Sequence, residues 1–213
     1  MIRVLIAEDQ SMVRGALAAL LALEDDIEVV AEVARGDEVV PTALAALPDV
    51  ALLDIEMPGL DGIAAAAQVR RAVPTCRVLI LTTFGRPGYL RRAMEAGASG
   101  FLLKDAPAED LSAAVRRVAA GARVVDPALA AEALSEGASP LSDRELEVLA
   151  ASVWLGTVKE IAVRLSLSEG TVRNHLSAAI QKLGARNRAE AARIAGQKGW
   201  LQPESDRPGL ASD

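Results

Sequence analysis

Aromatic side chains are scarce in this 213-residue chain: two Trp, two Phe and one Tyr make up 2% of it. An interior must therefore be built from alanine, leucine and valine, a mixture that favours helices with some buried strands. A single cysteine, Cys76, excludes an internal disulfide and any cysteine-based metal cluster. A single histidine, His175, excludes a histidine-rich metal site. Apolar runs such as Ala16–Ala22 fall well short of the ~20 residues that span a bilayer, so no membrane insertion is expected. Met1–Ile6 is a strand-like run that meets acids at once, unlike a signal peptide. A cytoplasmic location is expected.

Hydrophobic residues make up 51% of the chain, enough for packed cores, and its length suggests two domains. The net charge of −6 is unevenly spread. Residues 1–139 hold 13 Lys/Arg against 20 Asp/Glu, whereas residues 140–202 hold 9 against 6. An acidic body joined to a mildly basic module suits a regulator that touches nucleic acid with one end.

The first 120 residues alternate apolar runs with helical patterns. Strands are predicted at Arg3–Ala7, Glu28–Ala34, Val50–Leu53, Arg77–Leu81 and Gly100–Leu103, and helices near 11–24, 36–46, 61–73, 87–96 and 107–120. The first, third and fourth runs lack polar alternation, as strands covered on both faces do. The pattern predicts a flavodoxin-like five-stranded parallel sheet, order 2-1-3-4-5, over residues 1–121. Gly121, Pro127, Gly137 and Pro140 punctuate a linker, 122–140, with one short helix around 128–134. From Leu141 only helical patterns follow, at 142–153, 157–165, 168–183 and 187–198, giving a small all-α domain over 141–201. The polar tail 202–213 is expected to be disordered.

In parallel α/β sheets, chemistry gathers at the carboxyl ends of the strands. Those ends carry Glu8 and Asp9 after the first strand, Asp54 after the third, Thr82 after the fourth and Lys104 after the fifth. Each residue alone has an ordinary reading as a turn, cap, strand or solvated residue. Together they form a rim of three carboxylates, a hydroxyl and an ammonium. Clustered acids raise one another's pKa unless a cation is present, and hard oxygens suit Mg2+ or Mn2+. An Asp carboxylate is a nucleophile for phosphoryl transfer, and a metal with a lysine stabilises the charge that develops.

The segments "IAEDQ", "LLDIEMPGLDG", "LILTTF" and "GFLLKD" resemble the receiver domain of two-component response regulators, over roughly residues 1–120. The resemblance implies that Asp54 is the phosphoacceptor and that Glu8, Asp9, Asp54 and the backbone carbonyl of Glu56 hold the metal. It also implies that Thr82 is the switch hydroxyl, Phe101 the switch aromatic and Lys104 the lysine of the site. The first acid is Glu where Asp is commoner. "LALEDDIEVV" and "LTTFGRPGYL" look closest to the DesR-type subgroup.

In the last sixty residues, Ser142 and Glu145 form an S-x-x-E capping box, and Ser168 can cap the helix that begins at Glu169. Val172, Leu176, Ala179, Ile180 and Leu183 share one face of that helix. The opposite face, with Gly170, Arg173, Asn174, Ser177 and Gln181, is short and polar, as a groove-reading face is: Arg addresses guanine and Asn adenine. A solvated amphipathic face fits that pattern equally well. "LSDRELEVLA", "KEIAVRLSLSEGTVRNHL" and "KLGARNRAEA" resemble the LuxR-type helix-turn-helix of the NarL/FixJ response regulators. By that resemblance Arg173, Asn174 and Ser177 face base edges, Lys159, Thr171 and Lys182 lie near the DNA backbone, and the helix from Arg188 to Lys198 serves dimerisation. One departure is that "ASVWLGTVKE" places Gly156 one residue later than the family's usual glycine, with Trp154 and Leu155 ahead of it, so the turn there is expected to differ.

The expectation is a DNA-binding transcriptional response regulator, phosphorylated on Asp54 by a sensor histidine kinase and dimerising on a double-stranded DNA operator. Turnover of an external substrate is not expected, although the phosphoryl group can be lost by autodephosphorylation. One alternative is a haloacid-dehalogenase-like phosphatase with Asp54 as nucleophile; another is a DNA-binding regulator that works without phosphorylation. The pairs Arg70–Arg71, Arg91–Arg92 and Arg116–Arg117 read as solvated faces, Cys76 as an incidental thiol, and Trp200 and Leu201 as cover for the last helix.

Overall fold

Valine-, isoleucine- and leucine-rich runs separated by helical stretches become strand–helix units in the computed structural model, which describes residues 1–83, 87–127, 129–131 and 139–201. The chain divides into two compact units, the first built on residues 1–85 and 90–132. Its elements are β1 (Ile2–Ala7), α1 (Ser11–Leu21), β2 (Ile27–Val33), a 3-10 turn (Gly36–Glu38), α2 (Val39–Ala46), β3 (Val50–Leu53), α3 (Gly62–Ala72), β4 (Arg77–Thr82), α4 (Pro87–Glu95), β5 (Gly100–Leu103), α5 (Ala108–Ala119) and β6 (Val124–Val125). The strands are parallel and run in the order β2-β1-β3-β4-β5-β6.

The sixth strand corrects the expectation of five. It pairs Gly100 with Val124 and Phe101 with Val125, inside the stretch read as linker. Two residues are too few to show a strand pattern in sequence; Val124 joins the sheet because its side chain packs into the core beside Val115 and Val118 of α5. Of the helix expected around 128–134, residues 127 and 129–131 are helical, while 128 and 132–138 lie outside the described residues. The tail 202–213 lies outside them as well.

Alternation along the strands explains their unbroken hydrophobicity. Val4, Ile6, Val50, Leu52, Leu79 and Leu81 pack in one core with Leu111, Val115 and Val118 of α5. The intervening Leu5, Ala51, Leu53, Val78 and Ile80 are buried too, and period-two geometry turns them to the other face. Full burial of each aliphatic side chain is worth about 1.5–3 kcal/mol. α3 starts where Asp61 caps it, its Oδ1 accepting from the Ala64 N–H at 2.7 Å. Burial pushes the Cys76 thiol up to about 12, so it stays protonated at neutral pH.

The second unit contains α6 (Asp143–Trp154), α7 (Val158–Leu165), α8 (Glu169–Lys182) and α9 (Arg188–Gln197). Every one of these helices is capped by its own sequence: Ser142, Thr157, Ser168 and Asn187 each accept from the backbone N–H three residues on. Each such cap is worth ~1 kcal/mol. Ser142–Glu145 and Thr157–Glu160 are complete capping boxes. Between α7 and α8 the chain reverses through Ser166 in the left-handed region (φ 53°), and the Leu167 N–H donates to the Ala162 carbonyl at 2.8 Å. Val172, Leu176 and Ala179 face a core with Val148, Leu149 and Ile161, on which Trp200 and Leu201 also pack.

The displaced Gly156 is absorbed without strain. A Cβ there would meet only Glu160 Oε2 at 3.7 Å, while the Gly156 carbonyl accepts from Arg188 Nη2 at 2.7 Å. The Thr157–Glu160 box, not the glycine, sets the start of α7.

Acid sensitivity of this unit follows from its charges. Pairing with Lys182 holds the Glu145 carboxyl below its usual range, the Thr157 hydrogen bonds hold Glu160 down, and Arg186 holds Glu190 down. Carboxylates with lowered folded-state pKa values stabilise above the unfolded value and lose that contribution as pH falls through the folded one. Both tryptophans, Trp154 and Trp200, lie in this unit, so Trp emission reports on it alone in the full chain. Melting followed at that signal is expected to fall steeply below about pH 4.5. Glu145→Gln keeps the cap but loses the charge, so it should flatten that fall. An equally steep profile for the variant would remove Glu145 from the explanation. Among the described residues of the chain, no helix is long and apolar enough to cross a membrane.

Candidate functional site

Parallel register builds the site. Ala7 pairs with Leu53, and Thr82 pairs with Leu103. The next residues, Glu8, Asp54 and Lys104, therefore emerge side by side at the carboxyl edge. The Asp54 N–H donates to the Ala7 carbonyl at 2.9 Å and the Lys104 N–H to the Thr82 carbonyl at 2.8 Å, which extends the ladder to those positions.

Asp54 is buried, with Oδ1 accepting from the Ile55 N–H at 2.8 Å and Oδ2 lying 3.0 Å from Lys104 Nζ. Glu8 is buried beside it; Oε1 accepts from the Gln10 N–H at 3.2 Å. Lys104 Nζ also lies 2.6 Å from Glu8 Oε2. That oxygen has no aligned hydrogen-bond donor, so the contact is an ion pair of poor hydrogen-bond geometry. Burial raises the pKa of both carboxyls, against the pull of Lys104. For Lys104 burial acts downward, but Glu8 and Asp54 outweigh it and its pKa is raised. The ammonium is held charged between two acids that burial penalises.

Asp9 is exposed at the mouth, and one oxygen from each of Glu8, Asp9 and Asp54 lies within 4.8 Å of the others. Three carboxylates face one ammonium, which leaves two negative charges uncompensated. Hard oxygens with that excess fit a divalent cation such as Mg2+. Thr82 is buried at the end of β4, and Phe101 is fully buried in β5, paired in register with Ile80 and three residues before Lys104. Glu56, two residues past Asp54, carries an exposed side chain.

In the second unit α8 turns Arg173, Asn174 and Ser177 to solvent, as its buried face requires. Arg173 Nη2 is 2.9 Å from Glu169 Oε2, an exposed pair one turn apart of the kind that contributes little to stability. Thr171 is half-buried, and its hydroxyl lies 2.8 Å from Ser168 Oγ at the head of the helix. Lys159 is exposed on α7. Lys182 is half-exposed, with its Nζ 2.9 and 2.7 Å from the two oxygens of Glu145, so the ammonium braces α8 against α6.

Other residues escaped the sequence reading. Arg116 is no solvated arginine: it holds Glu24 at 2.5 Å and Asp26 at 2.6 Å, clamping α5 to the turn before β2. Arg92 Nη2 lies 3.8 Å from the capping Asp61. Arg14 reaches the Glu8 carbonyl at 2.6 Å. Charge spacing within one helix reveals none of these, because the partners lie on other elements.

A five-residue rim on a doubly wound parallel sheet, followed by a helix-turn-helix, defines a DNA-binding response regulator. Residues 4–116 match the response regulator receiver domain and residues 139–195 match the luxR family of bacterial regulatory proteins. The chain belongs to the NarL/FixJ family of two-component response regulators. It is 47% identical over 202 residues to the transcriptional regulatory protein DesR of Bacillus subtilis (strain 168), covering 95% of this chain and all of that one. It is 40% identical to the response regulator RamR of Streptomyces coelicolor, over 94% of this chain and 98% of that one. Among solved structures it is similar to the response regulator ChrA of a heme-sensing two-component system (38% identity, 92% of this chain and 97% of that one, TM-score 0.55). It is also similar to the response regulator RcsB in complex with DNA (25% identity, 92% and 98%, TM-score 0.64). Family membership leaves no place for the phosphatase alternative, whose nucleophile follows the first strand; Asp54 follows the third.

Proposed function

We propose that Asp54 accepts a phosphoryl group from a sensor histidine kinase, and that the resulting charge drives dimerisation on a DNA operator. The observation that carries this reading is the buried Asp54 carboxylate, held by the Ile55 N–H and the Lys104 ammonium beside two further acids. Glu8, Asp9, Asp54 and the Glu56 backbone carbonyl would hold Mg2+ or Mn2+. When bound, the cation neutralises charge on the transferring phosphoryl oxygens. An Asp54 oxygen attacks phosphorus, and the P–N bond of the donor phosphohistidine breaks with its electron pair returning to the imidazole. Lys104 supplies positive charge on the phosphoryl side. Thr82 donates its hydroxyl to a phosphoryl oxygen, and Phe101 repacks with it, shifting the receiver between two packings. Loss of the phosphoryl group to water resets the protein.

On DNA, Arg173, Asn174 and Ser177 of α8 read base edges, while Lys159 and Thr171 approach the backbone. Lys182 joins them only where a phosphate competes with Glu145. The module carries few basic residues, so pairing two copies raises affinity through effective concentration.

Light scattering and site selection from random duplex DNA, each with and without beryllofluoride as phosphoryl mimic, test this reading in the full chain. The mimic is expected to double the mass and to select two half-sites roughly one helical turn apart. Arg173→Ala is expected to weaken binding to the selected site by about 5- to 150-fold, the equivalent of ~1–3 kcal/mol, with phosphorylation intact. A monomer that selects the same DNA in both states would sink the reading.

A further inference from the structure

Arg14 sits in the first turn of α1, and its guanidinium turns back toward the loop between β1 and α1. Nη1 donates to the Glu8 carbonyl at 2.6 Å, and Nε lies 3.7 Å from Glu32 Oε2 on β2, with 21% of the side chain exposed. The Glu8 carbonyl belongs to the planar peptide that carries the Asp9 N–H, so this bond sets the plane from which Asp9 projects. From the other side the Glu8 N–H donates to the Val33 carbonyl at 3.1 Å. Glu8 is thus fixed at both ends of its backbone, and Asp9 inherits the setting.

We propose that Arg14 is a positioning residue for the divalent-cation cup: by clamping the Glu8–Asp9 peptide, it holds both loop carboxylates where each offers an oxygen within 4.8 Å of Asp54. The inference rests on the reading of Glu8, Asp9 and Asp54 as that cup. Three like charges so close repel one another, and a loop free to relax moves them apart. A clamp that prevents relaxation removes an ordering cost from metal capture. The guanidinium is also a cation, and charge alone would oppose metal binding. Geometry and charge therefore make opposite forecasts.

The test is an Mn2+ titration of the full chain by electron paramagnetic resonance, with melting in chelator to check the fold. Arg14→Leu is expected to raise the Mn2+ dissociation constant about tenfold, the scale seen when the supports of metal ligands are removed. The Mg2+ concentration that half-saturates labelling by acetyl phosphate should rise by the same factor, with the rate at saturating Mg2+ held within about twofold. Unchanged or tighter Mn2+ binding would overturn the proposal. Glu32→Gln loosens the same guanidinium without altering α1, and should move the constant in the same direction by less; it serves if Arg14→Leu does not fold. Asp9→Ala separates the two layers. If it leaves Mn2+ binding intact, the cup reading fails; if it abolishes binding while neither Arg14→Leu nor Glu32→Gln weakens it, the positioning role alone fails.

Discussion

Asp54→Ala is expected to abolish Mg2+-dependent labelling by acetyl phosphate while leaving the receiver folded. The neighbouring acids are poor substitutes. Glu8 has Oε1 on the Gln10 N–H and Oε2 against Lys104, and Asp9 stands exposed at the mouth rather than under the ammonium. Asp54 is the buried acid at the centre of the cup, between the Ile55 N–H at 2.8 Å and the Lys104 ammonium at 3.0 Å. The stability sign runs in the variant's favour. Burial raises the Asp54 pKa, so its contribution to stability is present below the unfolded value and is lost as pH rises through the folded one. At neutral pH the carboxylate is a buried charge repelled by Asp9 and offset by Lys104, and its removal should not lower the melting temperature of the receiver. Autoradiography after incubation with labelled donor, alongside melting, checks both halves. Label at wild-type level would move the acceptor elsewhere, and an unfolded variant would overturn the account of the pocket's charge.

Gly62→Ala should do the reverse, destroying the fold at the site. Gly62 opens α3 directly after the capping Asp61, and a Cβ there would stand 1.8 Å from the Asp54 carbonyl oxygen and 2.8 Å from its carbon. Backbone cannot swing aside as a side-chain tip can, and the Gly62 N–H is itself bonded to the Ile55 carbonyl at 2.9 Å. Either α3 retreats, emptying the space under Ile63 and Ala66, or the end of β3 moves and takes Asp54 with it. Overpacking against fixed backbone costs about 3 kcal/mol or more, a drop of roughly 6–12 °C in melting temperature for a protein of this size. Gly15→Ala provides the contrast within the same unit: nothing lies within 4 Å of its Cβ position on α1, so alanine should add about 0.5–1 kcal/mol. Calorimetry of the two variants settles the matter; a Gly62→Ala protein melting with the wild type would show that the close approach is not real.

Much of this was readable in advance because it is local. Periodicity gave five strands and nine of the helices, since each run had to bury one or both faces. The Ser142 and Ser168 caps lie within three residues of the N–H groups they serve. The rim of acids, Thr82 and Lys104 was legible for a related reason: strand ends in a parallel sheet share an edge, so residues after successive apolar runs meet there. What escaped notice depends on contacts between distant residues. β6 has two residues and owes its place to the Val124 side chain in the α5 core. Arg116 reads as one of a solvated pair, yet it meets Glu24 and Asp26 some ninety residues earlier.

By itself the chain's order of residue types determined a parallel α/β unit with a helical module behind it, and which side chains stand at the strand ends. Those follow from hydrophobic period and capping chemistry, which act over a few residues. Only the tertiary structure decided that Lys104 bridges Glu8 and Asp54, that Lys182 is bound by Glu145, and that Arg14 grips the Glu8–Asp9 peptide. Each depends on where two elements far apart in sequence come to lie, and on a charged group choosing among several partners at distances of a few ångströms. Local patterns carry no record of that choice.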